Sequence, residues 1–201
     1  EVSGNGVRAL GALVLLHERN VHAEVTVDTV VGPKHLARQE RQGARQLFRA
    51  SMGLPAELRQ VALEVEGETL LATVLNFGNP QCVVLGPLPG QERFLRLGAA
   101  LTKHPYFPHG TNVEFAEVEA PERVRILIWE RGCGPTQSSG TGSCASLIAA
   151  AAYGGAARDA EGIAPGGTQR VQWGPETVHL TGWAEVTASI DWWGAPATQA
   201  R

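Results

Sequence analysis

Two short loops of one pattern, Ser3-Gly4-Asn5-Gly6 and Ser139-Gly140-Thr141-Gly142, each run directly into an alanine- and leucine-rich stretch that reads as a helix. A glycine loop that opens a helix offers unpaired backbone N–H groups and the positive end of the helix dipole to an anion. A chain carrying this device twice can hold one carboxylate between two helix ends. It can also face the bound carbon with a side chain from each side, Ser3 and Ser139. The pattern therefore calls for a fold that brings two distant helix starts together.

Composition narrows the choice of fold and partner. With 201 residues, 43% hydrophobic and 18% charged, the chain can bury a core as one large domain or two small ones. A net charge of −3 gives no reason to expect nucleic acid or an anionic membrane as partner. The longest apolar run, around Leu147–Tyr153, is far short of a membrane span. Cys82, Cys133 and Cys144 form an odd set at spacings that match no zinc pattern, and no two histidines stand in an H-x-x-x-H pair. No metal site is expected, and a reducing, cytoplasmic setting is the simpler reading. The first glycine loop arrives directly after Glu1, where a leading strand would be expected, so an N-terminal segment is expected to be missing from this chain.

Periodicity predicts a helix over Gly6–Asn20 and a strand over Glu24–Val31, then a polar loop or turn over Lys34–Gln46 and a strand over Leu47–Met52. A hairpin follows, Gln60–Val65 and Thr69–Leu75 around Glu66-Gly67-Glu68. Next come a strand at Cys82–Leu85, a proline- and glycine-rich break at Gly86–Gly90, and a helix over Glu92–Thr102. Strands at Thr111–Val118 and Arg123–Glu130 lead to the second glycine loop and the helix Gly142–Tyr153. Three short strands are expected near Thr168–Trp173, Thr177–Leu180 and Glu185–Ile190. Hairpins wrapped on central helices argue an α+β protein with largely antiparallel sheet.

The second loop lies in the run Trp129-Glu130-Arg131-Gly132-Cys133-Gly134-Pro135-Thr136-Gln137-Ser138-Ser139-Gly140-Thr141-Gly142-Ser143-Cys144-Ala145. Arg131 suits a carboxylate and Glu130 an ammonium, together a reader of zwitterions. The plainer alternative is a surface ion pair beside a tight turn. Asn79 before Pro80 can simply shape a turn, whereas Asn112 inside a strand favours a binding role. His104 and His109 read as solvated residues, and Trp129, Trp173, Trp183, Trp192 and Trp193 as apolar bulk.

These motifs together resemble the diaminopimelate epimerases, cofactor-independent amino-acid isomerases related to proline racemase. Ser3–Leu10 resembles the family's C-G-N-G-x-R loop and helix, and Ala50–Pro55 (ASMGLP) its D-M-G-x-P strand end. Gly78–Val84 (GNPQCVV) resembles G-N-P-H-x-V-x, and Pro105–Phe115 (PYFPHGTNVEF) resembles F-P-x-x-x-N-V-x-F. Glu130–Ala145 resembles E-R-G-x-G-E-T-x-A-C-G-T-G-A-C-A. Order and intervals fit across essentially the whole chain.

The resemblance implies two pseudo-symmetric lobes, each a β-roll around a central helix, with a ligand cleft between them. The N-terminal lobe would be residues 1–77, incomplete in this chain; the C-terminal lobe would be 78–185, with a tail, 186–201, returning to the first. It implies that Gly4, Asn5, Asn79, Asn112, Glu130, Arg131, Gly140 and Thr141 contact an amino acid or related carboxylic acid. It also implies that no cofactor is used and that the chain pairs as a homodimer.

Such enzymes invert an α-carbon with two cysteines, one thiolate removing the proton and one thiol delivering another. A thiol, with a reference pKa of about 8.5, serves as base or acid near neutrality. Here both positions are serine, Ser3 and Ser139, the family's histidine after Asn-Pro is Gln81, and its loop glutamate is Pro135. Cys144 aligns with a helix-borne, core-facing cysteine, and Cys133 with a small apolar position. A serine hydroxyl is a poor base unless a neighbour takes its proton. The resemblance thus predicts a retained amino-acid grip and leaves two readings of the reaction: an isomerase scaffold with altered bases, or a binding protein that no longer turns over.

Overall fold

The computed structural model describes residues 3–191. Helices α1 (Gly4–Val14), α2 (Gln91–Leu101) and α3 (Gly140–Tyr153) pack on one twelve-stranded sheet. Its strands are β1 (Glu24–Val27), β2 (Lys34–Gln42), β3 (Arg45–Gly53), β4 (Ala56–Val65), β5 (Glu68–Asn76) and β6 (Pro80–Leu85). They continue with β7 (Asn112–Ala120), β8 (Arg123–Glu130), β9 (Gly134–Thr136), β10 (Asp159–Ala164), β11 (Gly167–Trp173) and β12 (Val178–Glu185). The order is β1-β2-β3-β12-β11-β10-β8-β7-β6-β5-β4, with β9 paired to β8 off that path. Pairing is antiparallel except for β6 with β7 and β10 with β8. The α+β expectation holds.

Helix α3 is the axis. Every residue from Gly140 to Ala150 is buried, and α3 carries no Asp, Glu, Lys, Arg or His. Such a helix is stable only when enclosed on all sides. Its Leu147 and Ile148 join Val83, Ala116, Val124, Ile126 and Ile128 of the sheet in the main core. That core runs on without a break to Leu36, Phe48 and Leu180, beneath α1. A second core lies on the opposite sheet face, where α2 buries Phe94, Leu97 and Leu101 against Leu63, Val113 and Phe115. Here Trp129 lies flat on α2: a methyl group at Gly98 would stand 2.7 Å from its ring, so only glycine fits.

Three strand expectations need correction. Lys34–Gln46, expected as a polar loop, is largely strand β2 paired in register with β3. Its inward residues are Lys34, Leu36 and Arg38, two of them charged, which hides the alternation. Arg38 is fully buried because it closes the C-terminal end of α1: Nη1 donates to Leu15 O (2.8 Å), Nη2 to Glu18 O (2.8 Å) and to Asn20 O, and Nε to Val21 O (3.0 Å). Arg41 adds bonds to Leu16 O and Glu18 O. Free carbonyls at a helix end attract cations, so a strand rich in arginine is satisfied there.

The last strands also shift. Asp159–Ala164 forms a strand that its small residues and Gly162 concealed, and β12 ends at Glu185, so no strand covers 186–190. The expected return of the tail and the packing of Trp192 and Trp193 lie outside the described residues, apart from Val186 N–H donating to Ala44 O at 3.3 Å. Among the described residues, no helix is long and apolar enough to cross a membrane.

Candidate functional site

The fold brings the two glycine loops together. A methyl group at Gly140 would stand 2.9 Å from the Gly4 Cα, and one at Gly4 would stand 3.1 Å from the Gly140 Cα. Glycine at the first turn of each helix is thus a requirement of backbone approach. Both helix N-termini open on one cavity of about 340 Å³. That volume falls within the ~300–1,000 Å³ common for small-molecule sites. Its walls come from the sheet. The parallel strands β6 and β7 begin here, bringing Asn79 and Asn112, and β8 ends here, bringing Glu130 and then Arg131.

All ten residues singled out from sequence line this cavity: Ser3, Gly4, Asn5, Asn79, Asn112, Glu130, Arg131, Ser139, Gly140 and Thr141. Their polar groups are cross-braced. Asn5 Nδ2 donates to Ser138 O (3.1 Å), tying the α1 loop to the α3 loop, while its Oδ1 accepts from Arg8 Nη2 (2.7 Å). Asn79 Nδ2 donates to Thr141 Oγ1 (3.3 Å), and Asn112 Oδ1 accepts from Arg131 N–H (2.9 Å). The Arg131 guanidinium donates to His109 O at 2.7 Å. Its stem passes Gly110, whose φ of +72° and lack of a side chain leave the room it needs.

Ser3 and Ser139 both act as helix N-caps. Ser3 Oγ accepts from Gly6 N–H (3.1 Å) and Ser139 Oγ from Gly142 N–H (3.2 Å). Serine is a favoured cap, so capping alone accounts for serine at both positions. Each hydroxyl keeps its own hydrogen to give. Their settings differ: Ser3 is exposed at the mouth, whereas Ser139 is only 3% exposed.

Three residues enlarge or revise the sequence reading. Cys133, aligned with an apolar position, is an exposed thiol lining this cavity. Gln81, at the family's histidine position, is fully buried, and its Nε2 donates to Asn79 Oδ1 (2.8 Å), so it orients Asn79. Glu114, two residues beyond Asn112 in β7, is fully buried behind the α3 loop. Its place on the same strand parity as Asn112 was a signal available in the sequence. Burial, with the Glu130 charge second, pushes the Glu114 carboxyl well above the usual carboxylate range. Cys144 faces the core, as the resemblance implies, and burial drives its thiol up to about 12, so it is inert near neutrality.

A second cavity of about 360 Å³ lies beyond Asn5 and Ser138, against Arg8, Arg45 and Trp183. It is slightly larger, yet it takes only Asn5 from the ten residues above. Neither helix-opening glycine lines it. Among the described residues, no group of three His, Cys, Asp or Glu side chains is placed to hold a metal ion.

The family model for diaminopimelate epimerase matches residues 73–186. The diaminopimelate epimerase of Desulforudis audaxviator is 35% identical over 96% of this chain and 74% of its own length. That of Parabacteroides distasonis is 37% identical over 90% and 68% respectively. Among solved structures, a probable proline racemase from Agrobacterium radiobacter with bound carbonate superimposes with a TM-score of 0.70, at 18% identity over 94% of this chain and 68% of that one. A hydroxyproline epimerase from Agrobacterium vitis, bound to trans-4-hydroxy-L-proline, gives 0.67 at 20% identity, over 92% and 63%.

Proposed function

The chain belongs to the diaminopimelate epimerase family, and we propose that it binds diaminopimelate or a related amino acid and transfers a proton at its α-carbon without a cofactor. The observation that carries this reading is the abutment of two helix N-termini at Gly4 and Gly140. A carboxylate set between them meets N–H donors from both sides. When the α-proton leaves, negative charge grows into that same carboxylate. Fixed donors aimed at developing charge are the arrangement that lowers such a barrier. Glu130 takes the ammonium, and Asn79, Asn112 and Arg131 position the rest of the ligand. Ser3 and Ser139 approach the α-carbon from opposite faces, and the Ser3 hydroxyl is the proton donor at the open mouth.

One observation favours a second reading, binding without turnover: both hydroxyls already serve as helix caps, and a serine without a proton acceptor is a weak base. Calorimetric titration with each stereoisomer of diaminopimelate, followed by circular dichroism of the ligand over time, separates the two. Saturable binding with stereochemical change is expected. Binding with no change supports the second reading. No binding at millimolar ligand overturns both.

A further inference from the structure

Glu114 is a carboxyl group that the fold has no structural reason to keep. It is 0% exposed, and among the described residues neither of its oxygens has a hydrogen-bond partner. Burying an unpaired carboxyl is costly unless something is gained in return. Its surroundings show where it is directed. The point where a Cβ of Gly142 would stand is 2.7 Å from Glu114 Oε1 and 3.2 Å from Ser139 Oγ. The two oxygens are therefore less than about 6 Å apart, within the span of one bridging water. The matching position in the other loop, Gly6, faces only the Cβ and Oγ of Ser3.

The geometry points to Glu114 as the proton partner of Ser139, a positioning residue that acts through the serine hydroxyl. This rests on the function proposed above. In the step, the Cα–H bond breaks and its proton bonds to Ser139 Oγ. The former Oγ–H proton passes to the Glu114 carboxylate, and the electron pair stays on the α-carbon and its carboxylate. Proton return to the α-carbon comes from Ser139 by the reverse path, or from Ser3 on the other face, with water restoring the Ser3 hydroxyl. The groups facing Glu114 are few: Glu130 at the end of β8 and the Cys82 thiol of β6, while α3 presents no charged side chain. An elevated carboxyl is also the stronger base once ionised.

The test compares wild type, Glu114→Gln and Ser139→Ala, using diaminopimelate in heavy water and ¹³C NMR of the glutamate carboxyls. Glu114→Gln should bind the ligand within threefold of wild type, lose about 100-fold or more in Cα deuterium exchange, and lose the rise of rate with pH. Exchange retained with an unchanged pH profile overturns the proposal. A wild type that binds without exchanging sinks the proposed activity, and the carboxyl titration then decides this inference alone. Ser139→Ala should shift the Glu114 midpoint, whereas an unmoved midpoint overturns the pairing. Glu114→Asp supplies the assignment if Glu114→Gln does not fold.

Discussion

The openings of α1 and α3 follow one pattern and differ in what stands behind them. Each begins with a serine whose Oγ accepts the N–H of the glycine three residues on, at 3.1 Å in α1 and 3.2 Å in α3. Ser3 is exposed, and the space beside Gly6 holds only its own cap. Ser139 is buried, with Glu114 behind it. Their far ends differ as well. Buried Arg38 closes α1 from a neighbouring strand, whereas α3 ends at Gly154 and Gly155, with Ala150 O accepting two N–H groups. The S-G-x-G pattern thus fixes backbone and capping, while the neighbouring strands decide that only the α3 loop has a buried carboxyl behind its serine.

The comparison breaks most severely at the helix abutment. Gly140→Ala sets a methyl group against the Gly4 backbone, where no flexible side chain can yield. A loss of about 3 kcal/mol in ligand binding, roughly 100-fold, is expected by calorimetry. Arg38→Leu leaves the buried Leu15 carbonyl at the end of α1 without its cation and strips a donor from the part-buried Val21 carbonyl, and should cost on the order of 2–3 kcal/mol in urea unfolding. The corresponding end of α3 has no side chain to remove.

The next effect is a pH dependence that belongs to α3. The carboxyl of Glu114 is raised in the folded chain, so the folded state holds that proton more tightly than the unfolded state does. Its contribution is fully present below the ordinary glutamate pKa of about 4.3 and is lost as pH rises toward the elevated folded value. Melting curves across this window should show wild type falling relative to Glu114→Gln as pH increases. A constant difference would contradict the assignment.

Removing the caps should separate the loops by smaller amounts. Ser139→Ala is expected to cost about 1–2 kcal/mol, because it leaves the Gly142 N–H buried without its acceptor. Ser3→Ala, at an exposed end where water replaces the hydroxyl, should cost about 0.5–1 kcal/mol. Gly6→Ala should change stability by less than about 1 kcal/mol, since the helix propensity gained offsets a 3.3 Å contact with Ser3.

The helix starts were legible in the sequence because glycine loops report backbone geometry directly, whereas most of the ten cavity residues were reached through the resemblance of ordered motifs to one family. Strand β2 was hidden because Lys34 and Arg38 point inward, against the rule that charge faces water; the Met52 carbonyl of β3 accounts for Lys34 and the end of α1 for Arg38. Glu114 was overlooked for a related reason. A glutamate in a strand reads as a solvated residue until the helix packed over it is known. Cys133 looked apolar by alignment, and only the turn after β8 places its thiol at the cavity wall.

The central claim, a carboxylate held jointly by the two helix starts, is tested most directly by backbone amide NMR during titration with diaminopimelate. The amides of Gly4, Asn5, Gly140 and Thr141 should shift together along one saturation curve. If they stay fixed while the amides around Arg8, Arg45 and Trp183 move, the ligand occupies the other cavity and the account is wrong.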